Sequence, residues 1–155
     1  MFYSILKLAH LLAIVLWVGG MIFAHCFLRP SLGALEPPHR LRLMQDVLGR
    51  FFSAVLGAVI VVLASGAWMI GRTARQVAET GGSFQMPYAW ITMAILGVVM
   101  AAIFGHIRFA LYPRLDRAVQ AAQWSDGANA MAAIRKWVTV NLALGVLTIA
   151  VIMLG

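Results

Sequence analysis

The chain has 155 residues, of which 63% are hydrophobic and only 11% are charged, and its formal net charge is +7. A soluble domain is about 45–50% apolar and about 25% charged, so this composition predicts an integral membrane protein. The single cysteine, Cys26, excludes an internal disulfide and a zinc site made of cysteines alone. The basic excess does not indicate nucleic-acid binding, because Lys and Arg of membrane proteins gather in cytoplasmic loops.

Four stretches reach the roughly 20 apolar residues that a bilayer-spanning helix needs. They are residues 4–28, 51–71, 88–112 and 137–154, and the loops between them are 29–50, 72–87 and 113–136. Backbone groups in lipid must form hydrogen bonds within their own segment, so each stretch predicts a helix. The sequence therefore predicts an all-α fold, an integral membrane four-helix transmembrane bundle forming one domain over 1–155.

Basic residues are distributed unequally between the two sides of these spans. The loops 29–50 and 113–136, with their flanks, contain nine of the twelve Lys and Arg residues. By the positive-inside rule these loops are cytoplasmic and both termini are periplasmic, in the inner membrane of a bacterium. Spans one and three then run in the same direction, which permits two parallel helix-hairpin repeats.

Two similar stretches, "IFAHC" with His25 and "IFGHI" with His106, each place a histidine near the cytoplasmic end of a span. The two imidazoles are predicted at one depth on different helices, where they can ligate a single iron from opposite sides. The favoured cofactor is therefore b-type haem, serving electron transfer or oxidoreduction. Arg29 and Arg108 lie where haem propionates need partners, and Asn141 falls in the same layer.

The same histidines are also consistent with copper binding or with a purely structural role. Cu(I) prefers thioether and thiolate ligands and accepts imidazole. His10, Met69 and Met93 fall in the periplasmic half, so together with His25 and His106 they are the candidate metal ligands. In the structural case the protein is a membrane subunit without a cofactor, in which histidines join helices and methionines fill apolar space.

Lys7 and His10 lie one turn apart near the periplasmic end of the first span, on a face shared with Trp17. We interpret this set as an outer site for a redox partner, a substrate or a metal. The predicted partners are the lipid bilayer and either a redox protein or a copper-carrying periplasmic protein. A homodimer is left open.

The stretch "LKLAHLLAIVLWVGGMIF" resembles the first helix of CopD-like membrane proteins, which often open with His–apolar–Trp-x-Gly-Gly. The stretches "RFF…GAVIVVLASGAWMI" and "RKWVTVNLALGVLTIAV" are similar too, so the resemblance covers nearly the whole chain. It implies copper handling in the inner membrane. The opening, with Lys7 and His10, is also similar to the HemJ-type protoporphyrinogen oxidases, which bind b-haem and have a third-helix histidine near His106. That resemblance leaves open a haem-dependent oxidoreductase.

Overall fold

Four long helices account for nearly all of residues 1–154, the part of the chain that the computed structural model describes. They are α1 (Phe2–Ala34), α2 (Pro37–Glu79), α3 (Tyr88–Gln120) and α4 (Trp124–Leu154). Each is long and apolar enough to cross a membrane, yet only 17% to 28% of the residues in its most apolar window are buried inside the bundle. Many of the remaining apolar side chains are exposed on the outside of the bundle, as expected of a surface that faces lipid. The prediction of an all-α, multi-pass membrane bundle is confirmed.

The helices pack as two hairpins, α1 against α2 and α3 against α4. Where the hairpins meet, a chain of aromatic rings crosses the core, each ring touching the next edge-on. Trp17 lies 6.1 Å from Phe104, Phe104 lies 6.0 Å from Phe52, and Phe52 lies 5.7 Å from Tyr112, all between ring centroids. These contacts draw on α1, α2 and α3, so the core joins both hairpins.

Two glycines allow the helices to approach closely. A Cβ on Gly20 of α1 would overlap the ring of Phe51 on α2. A Cβ on Gly145 of α4 would lie 3.1 Å from side-chain carbons of both Val18 and Met100. Small residues at such crossings are typical of membrane bundles, in which packing rather than hydrophobicity joins the helices.

The stretch 29–50, which separates the first two predicted spans, is mostly helical. α1 continues to Ala34, and α2 begins at Pro37, one residue after the extended Glu36. The Arg40 side chain ties the two helices together by donating hydrogen bonds to three carbonyls, two in the last turn of α1 and one just after it. The acceptors are the carbonyl oxygens of Leu32 at 3.1 Å, Gly33 at 3.3 Å and Leu35 at 2.8 Å.

The end of α3 is fastened to α2 by polar side chains. The Gln45 amide nitrogen donates to the Asp116 carboxylate at 2.5 Å, and the Tyr112 hydroxyl donates to the Gln45 carbonyl at 3.0 Å. The cytoplasmic connections predicted from the sequence are thus helix extensions with specific contacts to one another.

Both α1 and α3 contain a π-helical turn that ends two residues before a proline. The turns are Ala24–Leu28 before Pro30, and Ile107–Leu111 before Pro113. Proline has no backbone N–H, so the carbonyl of the preceding turn loses its usual donor and the helix widens there. α1 has a further π-helical turn at Val15–Gly19.

Candidate functional site

His10 lies in the seam between α1 and α2, where its ring meets Ser65. The Nδ1 atom of His10 is 2.7 Å from the Oγ of Ser65, which is 3% exposed. The Ser65 hydroxyl donates its own proton to the carbonyl of Val61, a common bond for a serine inside a helix. Because that proton is directed to Val61, the geometry suits a neutral His10 that donates from Nδ1–H to Ser65, a tautomer in which Nε2 keeps its lone pair. In that tautomer the imidazole has one ring nitrogen left for a ligand.

The methionines predicted for the outer half, Met69 and Met93, lie on different helices. Met69 is half-buried on α2, one helical turn beyond Ser65 and on the same side of the helix. Met93 is half-buried on α3, the helix of the other hairpin. Within residues 1–154, no three His, Cys, Asp or Glu side chains converge as a metal site would require. Any metal held at His10 would need ligands of other kinds.

The two residues predicted to accompany His10 have different surroundings. Lys7 is exposed and lies over the ring of Tyr3, 5.9 Å from its centroid. Arg72 of α2 lies over the same ring at 5.2 Å and over Trp68 at 5.5 Å. Trp17 is 3% exposed and belongs to the aromatic core described above. Lys7 thus lies in a cationic, aromatic outer rim, whereas Trp17 packs deep between the hairpins.

His25 and His106 face different surroundings. His25 is half-buried and lines a small groove between α1, α2 and α4. His106 is exposed and packs edge-on against Trp137, with the ring centroids 5.4 Å apart. His106 is not among the groove residues.

The register of the π-helical turns explains this difference. The turns Ala24–Leu28 and Ile107–Leu111 begin 83 residues apart, as do the prolines that follow them, whereas the histidines are 81 residues apart. A two-residue offset rotates a side chain by about 200° around a helix. Measured from the π turns, the α3 equivalent of His25 is Arg108, and His106 points to the other side.

This arrangement does not fit a haem between the two histidines. The groove at His25 has a cavity volume of about 30 Å³, which is on the order of one or two water molecules and far below a macrocycle. The bis-histidine haem predicted from the sequence therefore has no support in the geometry.

The remaining predicted residues are divided between separate places. Arg29 lines the groove with His25. The guanidinium of Arg108 lies over the rings of Phe109 and Tyr112, and its Nε is buried without a hydrogen-bond partner among the described residues. Asn141 is 1% exposed, and within residues 1–154 nothing donates to its Oδ1. Only Arg29 joins His25, so the predicted inner layer is not one site.

The family of the chain is indicated by residues 45–154, which match the family model CopD, described as copper resistance protein D. The chain belongs to the CopD family. The resemblance to CopD-like proteins is confirmed, whereas nothing in the match supports a relation to the HemJ type. No curated protein and no solved structure matches the chain. The CopD match begins after α1, so His10 and His25 lie outside it and Ser65 lies inside it.

Ser65 is the site residue that the sequence analysis missed. A signal was present, because Ser65 is the only hydroxyl in the apolar stretch "AVIVVLASGAWMI" of α2. A lone hydroxyl in a membrane helix needs a partner on its own or a neighbouring helix. What the sequence did not reveal is that this partner is His10.

Proposed function

We propose that this CopD-family protein handles copper in the cytoplasmic membrane of a bacterium, and that His10 is the imidazole that binds the ion. The observation that carries the proposal is the His10–Ser65 contact, whose geometry suits the tautomer with an unprotonated Nε2 in the seam between α1 and α2. The family description, copper resistance protein, supports the choice of metal.

The chemistry of the seam suits a soft monovalent ion. Histidines that ligate metals usually donate their second ring N–H to an oxygen, which fixes the tautomer and the ring orientation, and Ser65 supplies that oxygen. Met69, one turn further along α2, offers the thioether that Cu(I) prefers. Two protein ligands leave the ion open to a third from an incoming protein, so we expect transfer to or from a copper-carrying periplasmic partner.

The test is a Cu(I) titration of the detergent-purified protein against a competing chelator. We expect His10→Ala to abolish the tightest binding event, and Ser65→Ala to weaken it about 10- to 100-fold, as loss of an outer-shell partner does. The matched control is His39→Ala, because His39 is exposed at the start of α2 and lies 3.8 Å from Glu36. Unchanged affinity in His10→Ala, or an equal loss in His39→Ala, would exclude His10 as the ligand.

A haem protein and a structural subunit would each behave differently in the same preparation. A haem protein would give a Soret band and, on reduction, sharp alpha and beta bands that His25→Ala or His106→Ala abolishes. A structural subunit would bind neither copper nor haem. Either result would replace the copper proposal.

The proposal also requires His10 to lie in the periplasmic half of the bilayer. A reporter fused to the C-terminus, active only in the periplasm, checks the orientation that the basic loops predict. Cytoplasmic reporter activity would move His10 to the inner leaflet and would contradict exchange with a periplasmic carrier.

A further inference from the structure

A groove on the opposite half of the bundle from His10 combines an apolar floor with a basic rim. It lies where α1 and α4 flank α2, and we call it the basic groove. Its floor includes Met44 and Leu48 of α2 and Val138 of α4, and its rim is formed by His25, Arg29 and Arg135. Met44 and Leu48 are 6% and 3% exposed, so the floor is part of the hydrophobic core.

The rim carries positive charge that the described residues do not neutralise. The groove lining, drawn from residues 1–154, contains no carboxylate. The ion pairs of this part of the chain, Arg50–Asp46 and His39–Glu36, involve neither Arg29 nor Arg135. A second pocket nearby, between α3 and α4, differs because it places Asp126 beside Arg114. Of these two pockets, the basic groove is therefore the one whose positive charge has no carboxylate beside it.

The level of the rim along the helices matches that of lipid headgroups. Arg29 directly follows the predicted span 4–28, and Arg135 lies two residues before the predicted span 137–154. His25 lies one turn deeper in α1. Beside the groove, Phe27 is 62% exposed and Trp137 is 37% exposed, so the surrounding surface is apolar and suits contact with lipid.

We propose that the basic groove binds the phosphate group of an anionic phospholipid, held between Arg29 and Arg135. Guanidinium groups form paired, charge-assisted hydrogen bonds with phosphate oxygens, and basic pockets between membrane helices suit such headgroups. The acyl chains would lie on the exposed apolar surface beside the groove, which includes Phe27 and Trp137. The proposal is independent of copper, because His10 and Ser65 are not part of this groove.

The test measures lipid retention by the full-length protein. Delipidated protein in neutral detergent is titrated with phosphatidylglycerol, and one-lipid adducts are counted by native mass spectrometry. Phosphatidylcholine and inorganic phosphate are titrated separately. We expect a one-to-one phosphatidylglycerol adduct that Arg29→Gln/Arg135→Gln weakens about tenfold, the scale of losing charge-assisted hydrogen bonds.

The matched control is Arg114→Gln/Lys136→Gln, which removes the same charge from the same half of the protein without touching the groove. This control should keep wild-type binding, and an equal loss there would overturn the proposal in favour of non-specific attraction. Adducts of equal strength with phosphatidylcholine would also overturn it. Phosphate binding that needs the same two arginines would replace the lipid with a soluble anion.

If the Gln pair does not fold, Arg29→Lys/Arg135→Lys keeps the charge, and unchanged phosphatidylglycerol binding in that pair would contradict the paired guanidinium contact.

Discussion

α1 and α3 share one local structure and use it differently. Both run through a π-helical turn and reach a proline two residues later, yet the histidine of α1 lies within its turn and the histidine of α3 precedes its turn. His25 consequently lines a groove inside the bundle, and His106 lies exposed against Trp137. Similar sequence around two residues therefore does not give them similar surroundings when the helix is not uniform.

The largest expected difference between the two helices concerns their glycines. Gly20→Ala should lower the free energy of unfolding by about 1–3 kcal/mol, because the new Cβ overlaps the Phe51 ring. Gly105→Ala on α3 should be neutral or stabilise by up to about 1 kcal/mol, since no atom lies within 4 Å of the added Cβ. Reversible unfolding in mixed detergent micelles measures both. Equal effects would mean that α1 is not packed more tightly than α3 at these positions.

A smaller effect is expected where α1 ends. Arg40→Ala removes the hydrogen bonds to the last carbonyls of α1, and we expect a loss of about 1–2 kcal/mol in the same unfolding experiment. The control is Arg42→Ala, because Arg42 is exposed and only lies over Trp124, 5.2 Å from its centroid. We expect this control to cost less than about 1 kcal/mol. A control that costs as much as Arg40→Ala would contradict the role of Arg40 in closing α1.

The smallest expected effect separates the two histidines directly. A double-mutant cycle of His106→Ala and Trp137→Ala should give a coupling of about 0.5–1.5 kcal/mol, from the edge-on contact of the rings. The same cycle with His25→Ala should give no coupling, since Trp137 does not line the groove of His25. A coupling of similar size in both cycles would mean that both histidines, one on α1 and one on α3, contact the same face of α4.

The sequence was sufficient for the fold because hydrophobic length alone specifies membrane helices. It also singled out His10, since an ionisable residue in a span is uncommon and usually functional. It did not identify Ser65 as the partner of His10. That contact depends on how far α1 is shifted along α2, and a uniformly apolar sequence does not specify this shift. The resemblance to CopD is most specific in α1, whereas the family match lies entirely in residues 45–154.

The pairing of His25 with His106 rested on a uniform helical period. The rise per residue gives the depth of each histidine, but it does not give the direction in which each side chain faces. The π-helical turns change the number of residues per turn, and nothing in composition signals them except the later prolines. The prolines are visible in both stretches, and their spacing of 83 residues is the clue that the sequence offers.

A π-helical turn takes up one extra residue without interrupting the helix, so it changes the directions in which the side chains after it point. Helix α1 has two π-helical turns, at Val15–Gly19 and Ala24–Leu28, between His10 and Arg29. Each turn rotates the side chains that follow it about the helix axis, while the span remains continuous and apolar. One helix can thereby present His10 to α2 at one end and a basic rim beside α4 at the other. A one-residue deletion within either π-helical turn should rotate the side chains at one end of α1 to a new direction and leave those at the other end in place.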